Sequence, residues 1–117
     1  MAQQYLKLEL GLGQPDPWNV RKTLTDFDVS NMARVIIPKI ELEAEMGDDL
    51  IIGMDVSVED VNREHPYSVT IKRGGNDSYY LGNGWTVIKN AKGLNKDDVI
   101  GLSWDKWNRK LDFKLLR

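Results

Sequence analysis

Cysteine is absent from the 117-residue chain, which excludes a disulfide framework, a thiolate metal site and a cysteine nucleophile. Histidine occurs once, at His65 beside Pro66 in a turn-forming stretch that points to the surface. One imidazole without a thiol or an orienting partner does not make the usual set of nucleophile, base and orienter. Acidic residues are too numerous to single out a catalytic pair, and no glycine-rich loop leads from a strand into a helix as nucleotide hydrolysis needs. No acidic stretch has the ligand spacing of a calcium loop. We therefore expect no enzyme, no cofactor or metal centre and no small-molecule substrate. Apolar runs fall short of the roughly 18 residues of a membrane span. Met1 to Gly13 alternates leucine with charge and has no signal-peptide core. The expectation is a protein of the cell interior without membrane association.

An excess of positive charge is also missing, because the formal net charge is −2. The charges are unevenly placed, however. From Glu41 to Glu64 there are nine acids and one base, Arg63, which leaves the other 93 residues with a balance of +6. A basic face opposite an acidic one is compatible with the total, so net charge does not exclude an anionic partner. The acidic run itself reads most simply as a solvated face, with a cation site or a basic partner as the other option. Hydrophobic residues at 41%, charged residues at 29%, four Trp and four Tyr describe a globular chain with one core.

Period-two alternation runs through most of the sequence. Trp18 to Leu24 reads as a first strand with Trp18 and Val20 on one side, and Arg34-Val35-Ile36-Ile37-Pro38 as a β-branched strand ended by proline. Ile40 to Met46, bounded by Pro38 and Gly47, predicts a short acidic helix. Ile51 to Val58, Tyr67 to Lys72 and Ser78 to Leu81 predict three strands joined by turns around Asn62 to Pro66 and at Arg73 to Asp77. The glycines and Asn76 of the second turn tolerate positive φ. Trp85 to Ala91 suits a second short helix, and Val99 to Trp104 with Lys110 to Leu116 a last hairpin. Seven short strands and two short helices, without alternating βαβ units, predict a mainly β domain, closed towards a barrel.

Several ordered pieces then carry a family resemblance. Lys22-Thr23-Leu24-Thr25-Asp26-Phe27-Asp28-Val29 followed by Arg34-Val35-Ile36-Ile37-Pro38-Lys39 resembles the plant B3 DNA-binding domain signature K-x-L-T-x-S-D-V with R-L-x-I-P-K, Phe27 standing in place of the serine. Tyr80-Leu81 with Gly84-Trp85, and Leu94 to Ile100, are similar to the family's Y-x-L-x-x-G-W and L-x-x-G-D-x-I, with Asp97 where glycine is usual. Asp16-Pro17-Trp18 and Ile100 to Asp105 resemble the short, single-domain plant subfamily. The resemblance covers residues 16–117, with residues 1–15 as an N-terminal leucine-rich extended segment.

That resemblance implies a seven-stranded open pseudobarrel with two short helices. It also implies a nuclear transcription factor whose N-arm and C-arm clamp the major groove of double-stranded DNA. The arms fall on Asp28 to Arg34 and Lys72 to Ser78. Lys22, Arg34, Lys72 and Arg73 would hold phosphates; Asn31, Arg73, Asn76 and Ser78 would read base edges, Arg73 foremost. Asn31-Met32-Ala33 is poorly charged and Asp77 adds a negative charge, so a B3-like domain acting through protein contacts instead of DNA is the alternative.

Leu6, Leu8 and Leu10, with Leu12, fit the L-x-L-x-L pattern of plant repression peptides that recruit a corepressor protein, and equally an extra strand packed on the barrel. Trp85 and Trp104 read as core anchors and Trp107 as undecided.

Overall fold

Alternate burial along short strands is what closes this chain on itself. The computed structural model describes residues 18–31, 34–60 and 66–116. In β1 (Val20–Thr23), β2 (Val35–Pro38), β3 (Asp55–Asp60), β4 (Tyr67–Arg73), β5 (Ser78–Gly82), β6 (Val99–Asp105) and β7 (Lys110–Leu115) the residues facing inwards are predominantly branched or aromatic. Val20, Val35, Ile37, Val56, Val58, Ile71, Leu81, Ile100, Leu111 and Phe113 are all buried. Their burial, at about 25 cal/mol per Å² of apolar surface, is the main force holding the domain together.

The strands form one seven-stranded sheet in the order β1-β6-β7-β3-β4-β5-β2, curled into a nearly closed barrel. Every pairing is antiparallel except β3 with β7. β1 and β2 are neighbours in sequence yet occupy the two opposite edges of the sheet, so the connection between them, residues 24–34, has to cross the open seam.

Helix α1 (Lys39–Met46) starts directly after Pro38, which cannot donate a ladder hydrogen bond and so ends β2, and stops at Gly47, whose φ of 57° suits glycine. It buries Leu42 and Met46, four positions apart on one face. Helix α2 (Trp85–Lys92) buries Trp85 and Ile88 and ends on Gly93 at φ 61°. Its entry is fixed by Gly84: a Cβ there would lie 1.8 Å from the Ser68 carbonyl oxygen of β4. The G-W pair therefore marks where a helix approaches a strand backbone too closely for any side chain.

Three sequence expectations are refined. β3 begins at Asp55 and not at Ile51, and Ile51 and Ile52 are exposed. The approach to β3 is held without a ladder by Gly53 N–H donating to Ile71 O and Ile71 N–H donating to Met54 O. In the β4–β5 turn the positive φ values belong to Asn76 (53°) and Asp77 (56°), not to Gly74 and Gly75. Of the two glycines, Gly74 is needed for space, since a Cβ would sit 2.7 Å from Ser78 Oγ. The acidic stretch is also more than a solvated face. Glu43 accepts from Tyr79 Oη–H at 2.7 Å, Asp55 from Thr70 at 2.6 Å, and Asp60 pairs with Lys92. Glu45 accepts the Trp104 backbone N–H at 2.7 Å and Asp49 its indole N–H at 2.8 Å.

Trp85 is a core anchor, Trp104 is half-buried against the core, and Trp107 is 93% exposed. Residues 1–17, 32–33, 61–65 and 117 lie outside the described residues, and with them Leu6, Leu8, Leu10, Leu12, His65 and most of the 62–66 turn. No helix among the described residues is long and apolar enough to cross a membrane. No group of acids or histidine among them is placed to hold a metal.

The Trp104 indole N–H holds the Asp49 carboxyl below the usual aspartate range, with Arg109 adding to the effect against the cost of desolvation. A carboxylate depressed in the folded state stabilises it fully above the unfolded value of roughly 4 and loses that contribution as pH falls through the folded value. In acid-unfolding titrations the stability gap between wild type and Trp104→Phe should be full above about pH 5 and shrink on acidification. A second expectation concerns Asp97, at φ 75°. Glycine takes this conformation freely, so Asp97→Gly should raise stability by roughly 0.5–1 kcal/mol in denaturant melts.

Candidate nucleic-acid interface

Asp28 organises the seam. It is fully buried, and each of its acceptor atoms has a named donor. Oδ2 accepts from the Thr25 backbone N–H at 2.9 Å and from Thr25 Oγ1 at 3.1 Å, and lies 3.3 Å from Lys22 Nζ. Oδ1 accepts from the Ile36 N–H at 3.1 Å. Its own carbonyl accepts the Trp85 indole N–H at 2.7 Å. Because β2 pairs only with β5, alternate N–H groups on its other edge have no strand to donate to. The carboxylate supplies an acceptor there and, through Lys22 and Thr25, ties β2 to β1 across the opening. Lys89 Nζ donates to Val29 O at 3.1 Å and fastens the following residue to α2.

The loop so held ends at Arg34, which is half-buried. Its guanidinium carbon lies 4.7 Å from the Tyr80 ring centroid and 5.5 Å from that of Phe27. A guanidinium over an aromatic ring can still bond a ligand through its N–H edges. Ile36, Tyr80 and Lys72 stand in one row across β2, β5 and β4 by register, so Lys72 flanks Tyr80 on the side away from β2.

On the other side of the cleft is the β4–β5 turn. Gly74 N–H donates to Ser78 O at 2.9 Å and Ser78 Oγ donates to Gly75 O at 2.6 Å, closing the turn on itself. Asp77 O accepts the Lys39 N–H at 3.0 Å, and the Tyr79 hydroxyl bonds Glu43, so α1 buttresses the turn from behind. That bond to Glu43 is also the main reason the Tyr79 hydroxyl titrates above its usual value, with the charge of Arg73 acting in the opposite sense.

These elements enclose two adjoining clefts. One, of about 320 Å³, is lined by Phe27, Arg34, Ile36, Tyr80 and the turn residues Arg73, Gly74, Gly75, Asn76 and Ser78. The other, of about 390 Å³, is lined by Arg34, Lys72, Tyr80, residues 82–84, Thr86 and Val87. Arg34 and Tyr80 line both, so the two clefts meet there.

Of the residues singled out from sequence, Arg34, Lys72, Arg73, Asn76 and Ser78 line this pair of clefts. Asn31 is exposed on the N-terminal loop. Lys22 is 17% exposed and its ammonium faces Asp28, so the structure gives it the task of neutralising a buried carboxylate. Phe27 and Tyr80 were not singled out as site residues, although the replacement of the signature serine by Phe27 was visible in the sequence. No periodicity signal distinguishes an outward tyrosine that carries an arginine.

The pattern of residues and the fold define a class, the open β-pseudobarrel with two loops on one rim. Residues 18–116 match the family described as "B3 domain-containing protein At5g26805, C-terminal domain". The chain belongs to the B3 domain family. It is 43% identical to B3 domain-containing protein At1g10455 of Arabidopsis thaliana, over 97% of this chain and 83% of that one. It is 31% identical to B3 domain-containing protein At5g54067 of the same plant, over 78% and 77%. Among solved structures, the Arabidopsis FUS3-DNA complex superposes with a TM-score of 0.71 at 24% identity, covering 85% of this chain and 96% of that one. The Arabidopsis thaliana transcription factor LEC2-DNA complex gives 0.67 at 21% identity, covering 81% and 88%. At those identities the solved structures share the fold.

Lys22→Ala leaves a fully buried carboxylate with its hydrogen bonds from Thr25 and Ile36 but without its counter-charge. Breaking one side of such a pair costs about 3–5 kcal/mol where both partners are buried, and the residual exposure of Lys22 lowers that to about 2–4 kcal/mol. Equilibrium denaturation in urea, with the midpoint falling at unchanged slope, is the measurement that checks it.

Proposed function

We propose that the domain is a sequence-specific binder of double-stranded DNA that acts as a transcription regulator in the nucleus. In this reading residues 28–34 and 72–78 grip the major groove. The observation that carries it is Arg34: its guanidinium carbon lies over two aromatic rings, where two clefts meet that together bring Lys72, Arg73, Asn76 and Ser78 to one surface. A surface that only needed solubility has no reason to immobilise an arginine, because long charged side chains lose about 2 kcal/mol of rotamer entropy when fixed.

The roles follow from chemistry. Lys72 and Arg34 hold phosphates, since ammonium and guanidinium groups replace the counterions condensed on the backbone. Arg73, exposed at the tip of β4, presents its fork to the two acceptors of a guanine. Asn76 and Ser78, on a turn whose backbone is internally bonded, address neighbouring base edges. Asn31 completes the reading from the opposite loop. Lys22 acts from behind, through Asp28. The two relatives solved with DNA supply the precedent for this fold on a duplex.

Leu6, Leu8 and Leu10 form the second element of the proposal, a corepressor-binding segment that makes the protein a repressor. The support is the L-x-L-x-L spacing alone. Deleting residues 1–13 should leave folding stability and DNA affinity intact while abolishing repression of a reporter. A loss of several kcal/mol of stability would place the leucines in the core instead.

Fluorescence anisotropy with a selected duplex, at two salt concentrations, tests the main proposal. Arg73→Ala should weaken binding by roughly 1–3 kcal/mol and relax the preference at one base pair. Lys72→Ala should weaken all duplexes alike and lower the slope of log K against log salt by about 1. If wild type binds no duplex at either salt, the proposal fails and a protein-contact role takes its place.

A further inference from the structure

The floor of the inter-arm cleft does not fit an interface made only of hydrogen bonds. Phe27, Ile36 and Tyr80 form an apolar surface there, with Arg34, Arg73, Asn76 and Ser78 around it. Phosphates and most base-edge atoms of the major groove are polar, and an apolar wall pressed against them would desolvate them without repayment. The major-groove edge of a base pair offers one apolar group, the C5-methyl of thymine, which 5-methylcytosine shares.

We propose that this cleft reads a pyrimidine C5-methyl group, and that Phe27 is the residue that makes it do so. The inference rests on the DNA-binding role proposed above and adds a specificity that no motif in the sequence assigns. Three observations converge. Phe27 lies in the Asp28-anchored loop, with its carbonyl bonded by Ser30 N–H at 3.2 Å and Ser30 Oγ–H at 2.7 Å, so its position is fixed before any ligand arrives. The Arg34 guanidinium stacks on both Phe27 and Tyr80, which sets a cation at the lip of the apolar floor, where a phosphate or a neighbouring base acceptor lies in the groove. The cleft is open and, at about 320 Å³, has volume for a methyl group at the edge of a base. With serine at position 27, as in the family signature, the floor would lose its largest apolar wall and Arg34 one of its two rings.

The test uses the full chain and a duplex obtained by in vitro selection. Each thymine is replaced in turn by uracil, which removes only the methyl group, and each cytosine by 5-methylcytosine, which adds it. For wild type, one position should lose affinity about fourfold on uracil substitution, the worth of one buried methyl group. A gain of similar size at a cytosine would identify methylated cytosine as the source instead. Phe27→Ser, checked for folding by circular dichroism, should bind with no methyl sensitivity at that position. Phe27→Leu, which restores an apolar wall, should recover part of it. Wild-type binding that is indifferent to every methyl, or a sensitivity equal in wild type and Phe27→Ser, overturns the inference and leaves DNA binding standing. Absence of binding to any duplex overturns both.

Discussion

A single buried carboxylate closes what the strand order leaves open. The sheet begins at β1 and ends at β2, so the barrel has a seam, and a seam exposes edge donors that cost free energy if buried without partners. Asp28 sits in that seam at zero exposure and accepts from Ile36 on one edge and from Thr25 and Lys22 on the other. Such an arrangement is favourable only because every acceptor is satisfied and the charge is paired; a half-satisfied version would be worse than an apolar plug. The same residue then fixes where the loop goes next, since its carbonyl is bound by Trp85 of α2.

The functional face is a consequence of that closure. Phe27, one residue before Asp28, and Arg34, two residues before Ile36, are both placed by it, and they meet across the mouth of the cleft. On the opposite side the β4–β5 turn is positioned by different means: an internal hydrogen-bonded ring and the buttress of α1 through Lys39 and Glu43. Two independently braced loops thus face each other over a floor supplied by Ile36 and Tyr80. The acidic residues are largely spent elsewhere, on α1, β3 and the β6–β7 hairpin. That is how a chain of net charge −2 keeps Arg34, Lys72 and Arg73 together on one surface.

Much of this was legible in the sequence, for physical reasons. The seven strands and two helices followed from period-two alternation and from the Pro38 and Gly47 boundaries, because burial and backbone geometry act locally. The arms could be located from the K-x-L-T signature and the Arg73-to-Asp77 turn. What a sequence cannot display is which charges are already committed. Lys22 and Arg34 look alike as cations beside a loop, and only the fold reveals that one faces Asp28 and the other lies on Tyr80. The start of β3 was misplaced because Ile51 and Ile52 are apolar yet exposed, and hydrophobicity alone marks them as strand. The glycines and Asn76 of the β4–β5 turn were both read as tolerating positive φ; Asn76 takes that conformation together with Asp77, and Gly74 is required instead for proximity to Ser78.

The central claim is that a residue with no access to solvent governs the surface proposed to face DNA by fixing Arg34. The most direct test is a double-mutant cycle on duplex affinity with Asp28→Asn, which keeps the size and one acceptor oxygen, and Arg34→Ala, at a temperature where all variants are folded. The account predicts that Asp28→Asn alone weakens binding although it cannot touch DNA, and that the double variant is scarcely weaker than Arg34→Ala, the two losses being coupled. Full affinity in folded Asp28→Asn, or losses that add independently, would contradict it.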